Sequence, residues 1–375
     1  MRPGWASRRA GRGGSGGMSC TGGSSLPKSR PAECGDGVTQ TRSTTSSATS
    51  TTAAAPSARA ARRMTSKSER RLPRNGRGGK RLARRNRTCD IARMTHSRCL
   101  CGAVTWDAEG PLQFMSHCHC SRCRKAHGTP FATYVTAPAD GFRASGRDHV
   151  GRYESSPGFF RDFCTRCGSV VPGDPWQNLV FLPTGCMEQD PGTRPAAHIF
   201  VASRAPWFAI RDSLPQFEAY PPGVDMPAQP DRPAPDPPGA APRGSCLCGG
   251  VAFVVEGPPT FARNCHCGRC RKARGAAHAS NLVTTADGVR FTRGAERIAF
   301  YKVPEARFFG QSFCRTCGGP VPRLDRDRNI AVVPMGTLDD DPGIRPQMHI
   351  FVGSKAPWFD IADELPQHEE YPPAA

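Results

Sequence analysis

No run in this 375-residue chain approaches the roughly 18 apolar residues that suggest a membrane-spanning helix. No signal-peptide apolar region is visible either. Apolar residues make up only 37% of the chain, while glycine and proline number 40 and 37, so part of it is not expected to pack. The shortage is sharpest in residues 1–93. That stretch has one aromatic, Trp5, and few aliphatics beyond Leu26, Val38, Leu72, Leu82 and Ile91. Acids are equally scarce there, 4 against 21 Lys or Arg. Such a segment cannot bury enough apolar surface to offset chain entropy and is expected to be disordered. Three readings compete: a basic tail touching nucleic acid or another polyanion, an Arg- and Ser-rich transit segment, or an upstream stretch that is not translated. The third is preferred, because Met94 opens a compact start, MTHSRCLCGAVTW.

Outside that stretch, 30 basic residues face 28 acidic ones. The folded part is therefore near neutral, and the pI of 9.6 says little about its ligands. Nucleic acid is not an expected partner unless the tail is real. No Ser-His-Asp arrangement is visible, so no side-chain nucleophile is assigned.

What the chain does have is cysteine, 18 in all. Fourteen fall at close, repeated spacings, which make poor disulfides and good metal sites. A stretch CHCSRCRKA begins at Cys118, and CHCGRCRKA begins at Cys265. Each lies between an upstream Cys-x-Cys (Cys99 and Cys101; Cys246 and Cys248) and a downstream Cys-x-x-Cys-Gly (Cys164 and Cys167; Cys314 and Cys317). Long matches without cysteine, AHIFVASRAPWFAI against MHIFVGSKAPWFDI and LPQFEAYPP against LPQHEEYPP, establish an internal duplication. The first copy spans about 96–220 and the second about 244–373. Residues 221–243 between them hold nine prolines and read as an extended spacer. Cys20, Cys34 and Cys89 show no metal spacing. A reducing cytoplasm is the expected compartment, because thiolates must stay reduced to hold a metal.

Short β-branched or aromatic runs bounded by Gly or Pro predict a mainly β fold with little helix. Cys99 and Cys101 are read as sharing one face of a strand. RKAHG predicts a short helix ending at Gly128, and FATYVTAP a strand. Gly168 and Gly318 suit the left-handed turn of a metal knuckle.

Seven cysteines per copy divide into four plus three. The pairs Cys99/Cys101 and Cys164/Cys167, with Cys246/Cys248 and Cys314/Cys317 in the second copy, would each close one structural zinc site. The trios Cys118, Cys120, Cys123 and Cys265, Cys267, Cys270 would hold a second zinc with one position open, the mark of a catalytic or ligand site. The alternative is closure by a histidine, with His119 and His266, or His198 and His349, at equivalent positions. His127 is replaced by Arg274 and cannot serve both copies. The cations Arg122, Arg124, Lys125 and Arg269, Arg271, Lys272 are either solvated or balance the thiolates, or they seat an anionic substrate, the first reading being preferred. Trp207 and Trp358 are expected in a core or pocket wall, and Cys186, replaced by Thr337, as a free thiol.

At these motifs the sequence resembles the glutathione-dependent formaldehyde-activating enzyme family, which includes the centromere protein V domain. The matched pattern is C-x-C-G, CHCxxCRK, FCxxCG, HIFV-x-S-x-APWF and LPQ. The resemblance implies tandem Mss4-like β-rich zinc domains, a structural four-cysteine zinc and an active-site three-cysteine zinc, about two ions per domain. It also implies carbon–sulfur lyase chemistry on a glutathione–aldehyde adduct, with a small-molecule thiol as partner. The first copy keeps SSPG and Arg161 of many relatives, and the second is read as having Gly310 in place of Arg161. Two rivals remain at this stage: a non-catalytic zinc-stabilised module binding protein or nucleic acid, and a redox or metal-buffering protein.

Overall fold

The strands are short, some alternating buried and exposed positions as Thr95–Arg98 does and others buried throughout as Met115–Cys118 is, and Gly or Pro closes or follows a minority of them. The architecture comes from a computed structural model that describes residues 94–227, 231–232 and 239–373. The basic stretch 1–93, with Cys20, Cys34 and Cys89, lies outside the described residues. The first repeat runs β1 (Thr95–Arg98), β2 (Thr105–Ala108), β3 (Met115–Cys118), α1 (Ser121–His127), β4 (Ala132–Pro138) and β5 (Phe142–Ser145). It continues through β6 (Val150–Ser156), β7 (Phe159–Cys164), β8 (Val170–Val171), β9 (Leu179–Pro183), β10 (Pro195–Ile199) and β11 (Gln216–Phe217). The second repeat follows with β12 (Arg243–Ser245), β13 (Ala252–Val255), β14 (Phe261–Cys265), α2 (Gly268–Arg274), β15 (Ala279–Thr284) and β16 (Val289–Arg293). Then come β17 (Ile298–Lys302), β18 (Gly310–Cys314), β19 (Pro320–Val321), β20 (Arg323–Asp325), β21 (Ile330–Pro334), β22 (His349–Ile350) and β23 (Gln367–His368).

The fold is mainly β, as the sequence predicts. Each repeat builds three sheets. In the first the orders are β1-β2-β5, β11-β10-β3-β4-β9 and β6-β7-β8. The second repeats them, with β20 added at one edge of its large sheet. The returning strand β10 lies parallel to β3, placing Ile199 opposite Cys118, and β22 places Ile350 opposite Cys265 in the same way. No helix among the described residues is long and apolar enough to cross a membrane.

The helix read from RKAHG is α1. Its N-cap is Cys120, whose sulfur accepts the Cys123 N–H, and it stops at Gly128 with φ 66. Arg124, Lys125 and His127 fill its last turn, where positive charge suits the helix dipole. The strand expected through Cys99 and Cys101 is not there. The Gly102 N–H donates to the Cys99 carbonyl and Gly102 takes φ 75, so the two thiols are presented by a turn between β1 and β2. A left-handed residue directly after Cys101 bends the chain too sharply for a strand.

The two repeats belong to one compact unit and share their cores. Trp358, 1% exposed, packs with Trp106, Met115, Val135 and Leu182 of the first repeat. Trp207, 3% exposed, packs with Phe253, Leu282, Val333 and Met335 of the second. The sequence predicts both tryptophans in a core or pocket wall; the structure shows that each fills the core of the other copy. Helix α1 follows suit: Ala126 packs beside Cys246, Leu247 and Cys314. A β-carbon on Gly168 would stand 2.5 Å from the Phe313 ring, and one on Gly318 2.3 Å from the Phe163 ring. These two glycines are needed for their positive φ and for the close approach of the opposite repeat.

Reciprocal exchange makes stability a joint property. Trp358→Ala is expected to cost about 3–5 kcal/mol, the range for truncating a buried tryptophan. Urea unfolding should still show one transition, moved to a lower midpoint. Two separated transitions would contradict a shared core.

Candidate metal centres

The cysteines gather into four groups whose sulfurs lie within 4.8 Å of one another: Cys99, Cys101, Cys164, Cys167; Cys246, Cys248, Cys314, Cys317; Cys118, Cys120, Cys123; and Cys265, Cys267, Cys270. All are unbonded thiols, as is the buried Cys186. In the quartets, Cys99 and Cys101 are 3.6 Å apart, Cys101 and Cys164 3.7 Å, Cys246 and Cys248 3.4 Å, and Cys248 and Cys314 3.8 Å. A tetrahedral metal with arms of ~2.3 Å to sulfur needs sulfurs about 3.8 Å apart. A disulfide would need about 2.05 Å. The cradles therefore fit a thiophilic metal ion. Backbone N–H groups aim at the sulfurs as well: Val104 at Cys99, Val251 at Cys246 and Gly250 at Cys248.

Without a cation, such groups cannot all ionise. The Cys118 thiol is pushed up by Cys120, then Cys123, then burial. Cys123 is held well below its usual range by Cys118 and Cys120, with Arg161 assisting. One thiolate per trio suppresses the next. A dication in their midst removes that penalty.

No histidine nitrogen joins either trio. His119 follows the alternation expected of an extended chain and turns from the sulfurs toward Phe131 and Phe208. There its Nε2 meets Nδ1 of His198 at 2.8 Å, and Nε2 of His198 meets the Asp212 carboxylate at 3.0 Å. The second repeat repeats the chain: His266 to His349 at 2.8 Å, and His349 to Asp363 at 3.0 Å. A carboxylate only accepts, so Nε2 of His198 carries a proton, and with the ring in its neutral form Nδ1 accepts. His119 must then donate from Nε2. Its buried Nδ1 is a lone pair with no partner, as is that of His266. These histidines orient the strand that carries the trio. The sequence left Asp212 and Asp363 unassigned, although each stands fourteen residues after its histidine in both copies. Between the repeats lies a cavity of about 40 Å³ bordered by His117, His198, His278, His349, Phe131 and Phe359, room for a few waters.

Most of the flanking cations are spoken for. Lys125, buried, pairs with Asp339 at 2.6 Å and donates to Thr337 O and Ser245 O across the interface. Lys272 pairs with Glu188 of the first repeat at 2.6 Å. Arg124 donates to Ser203 O, and Arg122 to Ser155 O. These contacts go to carboxylates and backbone carbonyls, several of them across the boundary between the repeats, and not to the thiolates.

Arg161 differs. Its Nη1 lies 3.6 Å from Cys123 Sγ. Burial works against its charge, but Cys123, Tyr134 and the other sulfurs outweigh that and push its pKa up. The reading that Gly310 occupies its place is corrected by strand register. Arg161 stands opposite Tyr153, and the residue opposite Tyr301 is Gln311, with Gly310 one position earlier. One extra residue precedes FC in the second copy, and ungapped reading from FF misplaces it.

A family model described as glutathione-dependent formaldehyde-activating enzyme matches residues 94–203 and again residues 241–354. A crystal structure of a Rhodobacter sphaeroides protein is 31% identical, covering 28% of this chain and 97% of its own, with a TM-score of 0.23. No curated protein matches.

Buried histidines make the fold acid-sensitive. Burial, first of all, holds His278 down to about 3 and His127 down to about 4 from an ordinary 6.5. The unfolded chain takes up these protons first as pH falls. Stability is therefore full above 6.5 and declines below it. The urea midpoint should drop between neutral pH and about pH 5, and His278→Asn should flatten that slope by about one proton. An unchanged slope would mean that His278 is protonated in the fold.

Proposed function

We infer the function from a plain premise: the chain belongs to the glutathione-dependent formaldehyde-activating enzyme family. It is a carbon–sulfur lyase-type enzyme using thiol chemistry on an adduct such as that of glutathione and formaldehyde. We take 96–220 and 244–373 as two Mss4-like copies joined through 221–243, working in a reducing, cytoplasmic setting.

The observation that carries the mechanism is a pair of unlike clusters in each copy. Four sulfurs enclose one site completely. Three sulfurs frame another, and among the described residues no fourth His, Cys, Asp or Glu ligand atom joins them. In the first copy, Cys99, Cys101, Cys164 and Cys167 would hold a structural zinc, and Cys118, Cys120 and Cys123 a second. In the other copy, Cys246, Cys248, Cys314 and Cys317 take the structural part, with Cys265, Cys267 and Cys270 the open one. A zinc ion so held would lower the pKa of a substrate thiol, supplying thiolate at neutral pH. The sulfur of that thiolate then forms a bond to the aldehyde carbon. The carbonyl π pair would move to oxygen, which takes the proton that the thiol gave up, and the reverse reaction would return that proton and break the same C–S bond. The chain's own part is placement. Cys120 caps α1, fixing Cys123 one turn on. Tyr134, Phe200 and Tyr220 pack around the first trio and limit water there.

The full chain is expected to bind four zinc ions, one for each cluster. Cys120→Ser should lower the count by one, keep the β-rich circular dichroism, and reduce thiol–aldehyde adduct turnover by about 100-fold or more. Retained turnover, or loss of the fold with the metal, would count against an open catalytic site.

A further inference from the structure

The two trios sit in different surroundings, and hydrogen-bond directions show how. His127 Nδ1 lies 2.6 Å from the backbone carbonyl of Arg274, in the other repeat. A carbonyl only accepts, so His127 holds its proton on Nδ1 and Nε2 accepts. Nε2 is 2.9 Å from the Tyr134 hydroxyl, which must donate to it. The lone pairs of that hydroxyl are then turned to donors, and the side chain of Arg161 bonds to it. Arg161 in turn reaches Cys123 Sγ. A one-way chain from the second repeat thus fixes one guanidinium against one sulfur.

None of the three side chains is kept in the second copy. His127 becomes Arg274, Tyr134 becomes Asn281, and Arg161 becomes Gln311. Gln311 Nε2 donates to Cys167 O and Ala273 O, away from the trio. Arg274 feels the charge of Cys270 but makes no hydrogen bond to the trio; its Nη1 has no hydrogen-bond partner and lies 3.2 Å from where a β-carbon on Gly128 would stand, against the first repeat. The Asn281 Oδ1 is also buried without a partner.

Charge makes this matter. A dication with three thiolates carries net −1, and an added thiolate makes it −2. A fixed cation at the sulfurs offsets that second charge in a buried setting. We propose that the first trio alone takes substrate thiol, and that Arg161, locked by Tyr134 and His127, is the specificity-determining residue that the second trio lacks. The second trio then holds metal without taking thiol. This rests on reading the trios as open metal sites.

The test uses the full chain loaded with Co²⁺, whose thiolate charge-transfer absorption reports an added sulfur ligand, and glutathione as the probe. One equivalent of glutathione per chain should perturb the spectrum. Arg161→Gln should keep the full cobalt complement yet weaken that binding by about tenfold or more, and Arg161→Lys should restore part of it. If Arg161→Gln loses cobalt, Tyr134→Phe is read instead, since it removes only the link that orients Arg161; it should weaken binding in the same direction. Two equivalents bound by the unaltered chain, or one bound as tightly by both Arg161→Gln and Tyr134→Phe, overturns the proposal and leaves the open-site reading standing. No perturbation at all overturns both.

Discussion

Thiols crowded within a few ångströms repel one another as soon as more than one is ionised, and this constraint shapes the molecule. Four such crowds exist among the described residues: each quartet is assembled from distant segments that only the folded chain brings together, and each trio is held within one short stretch. The quartets join the first turn of a repeat to the turn between β7 and β8, or between β18 and β19 in the second copy. The trios need a strand end, a helix cap and a first helical turn in register. A metal ion converts that repulsion into cohesion, which is how a chain with little apolar surface could afford so small a core.

The second constraint is the exchange between copies. A tryptophan after each APWF start leaves its own repeat and completes the neighbour's interior. Lys125, Gln311 and His127 also make their bonds across the same boundary. The geometry of each trio is consequently set partly by the other copy. That dependence explains how two clusters built from nearly identical motifs can come to differ, since the residues that tune them lie outside the motifs.

Much of this was legible in the sequence. Spacing alone separated the four-cysteine from the three-cysteine groups, and α1, with its stop at Gly128, followed from RKAHG. Other parts were hidden for identifiable reasons. The Cys99–Cys101 turn depends on the backbone of Gly102, which a strand pattern does not register. Asp212 stands fourteen residues after His198 and Tyr134 seven after His127, spacings that belong to no metal-ligand or catalytic motif and so do not advertise a role. Gly310 was aligned with Arg161 because a one-residue insertion preserves the aromatic pair; only the β17–β18 register reveals Gln311. The swapped tryptophans were recognisably core residues, but hydrophobicity does not say whose core.

Zinc K-edge absorption of the metal-loaded chain tests the central claim most directly. The account predicts an average of fewer than four sulfurs per zinc, with the missing ligand a light atom, and a rise in the sulfur count when glutathione is added. Four sulfurs per zinc from the start, or a spectrum with imidazole in the fourth position that glutathione leaves unaltered, would contradict it.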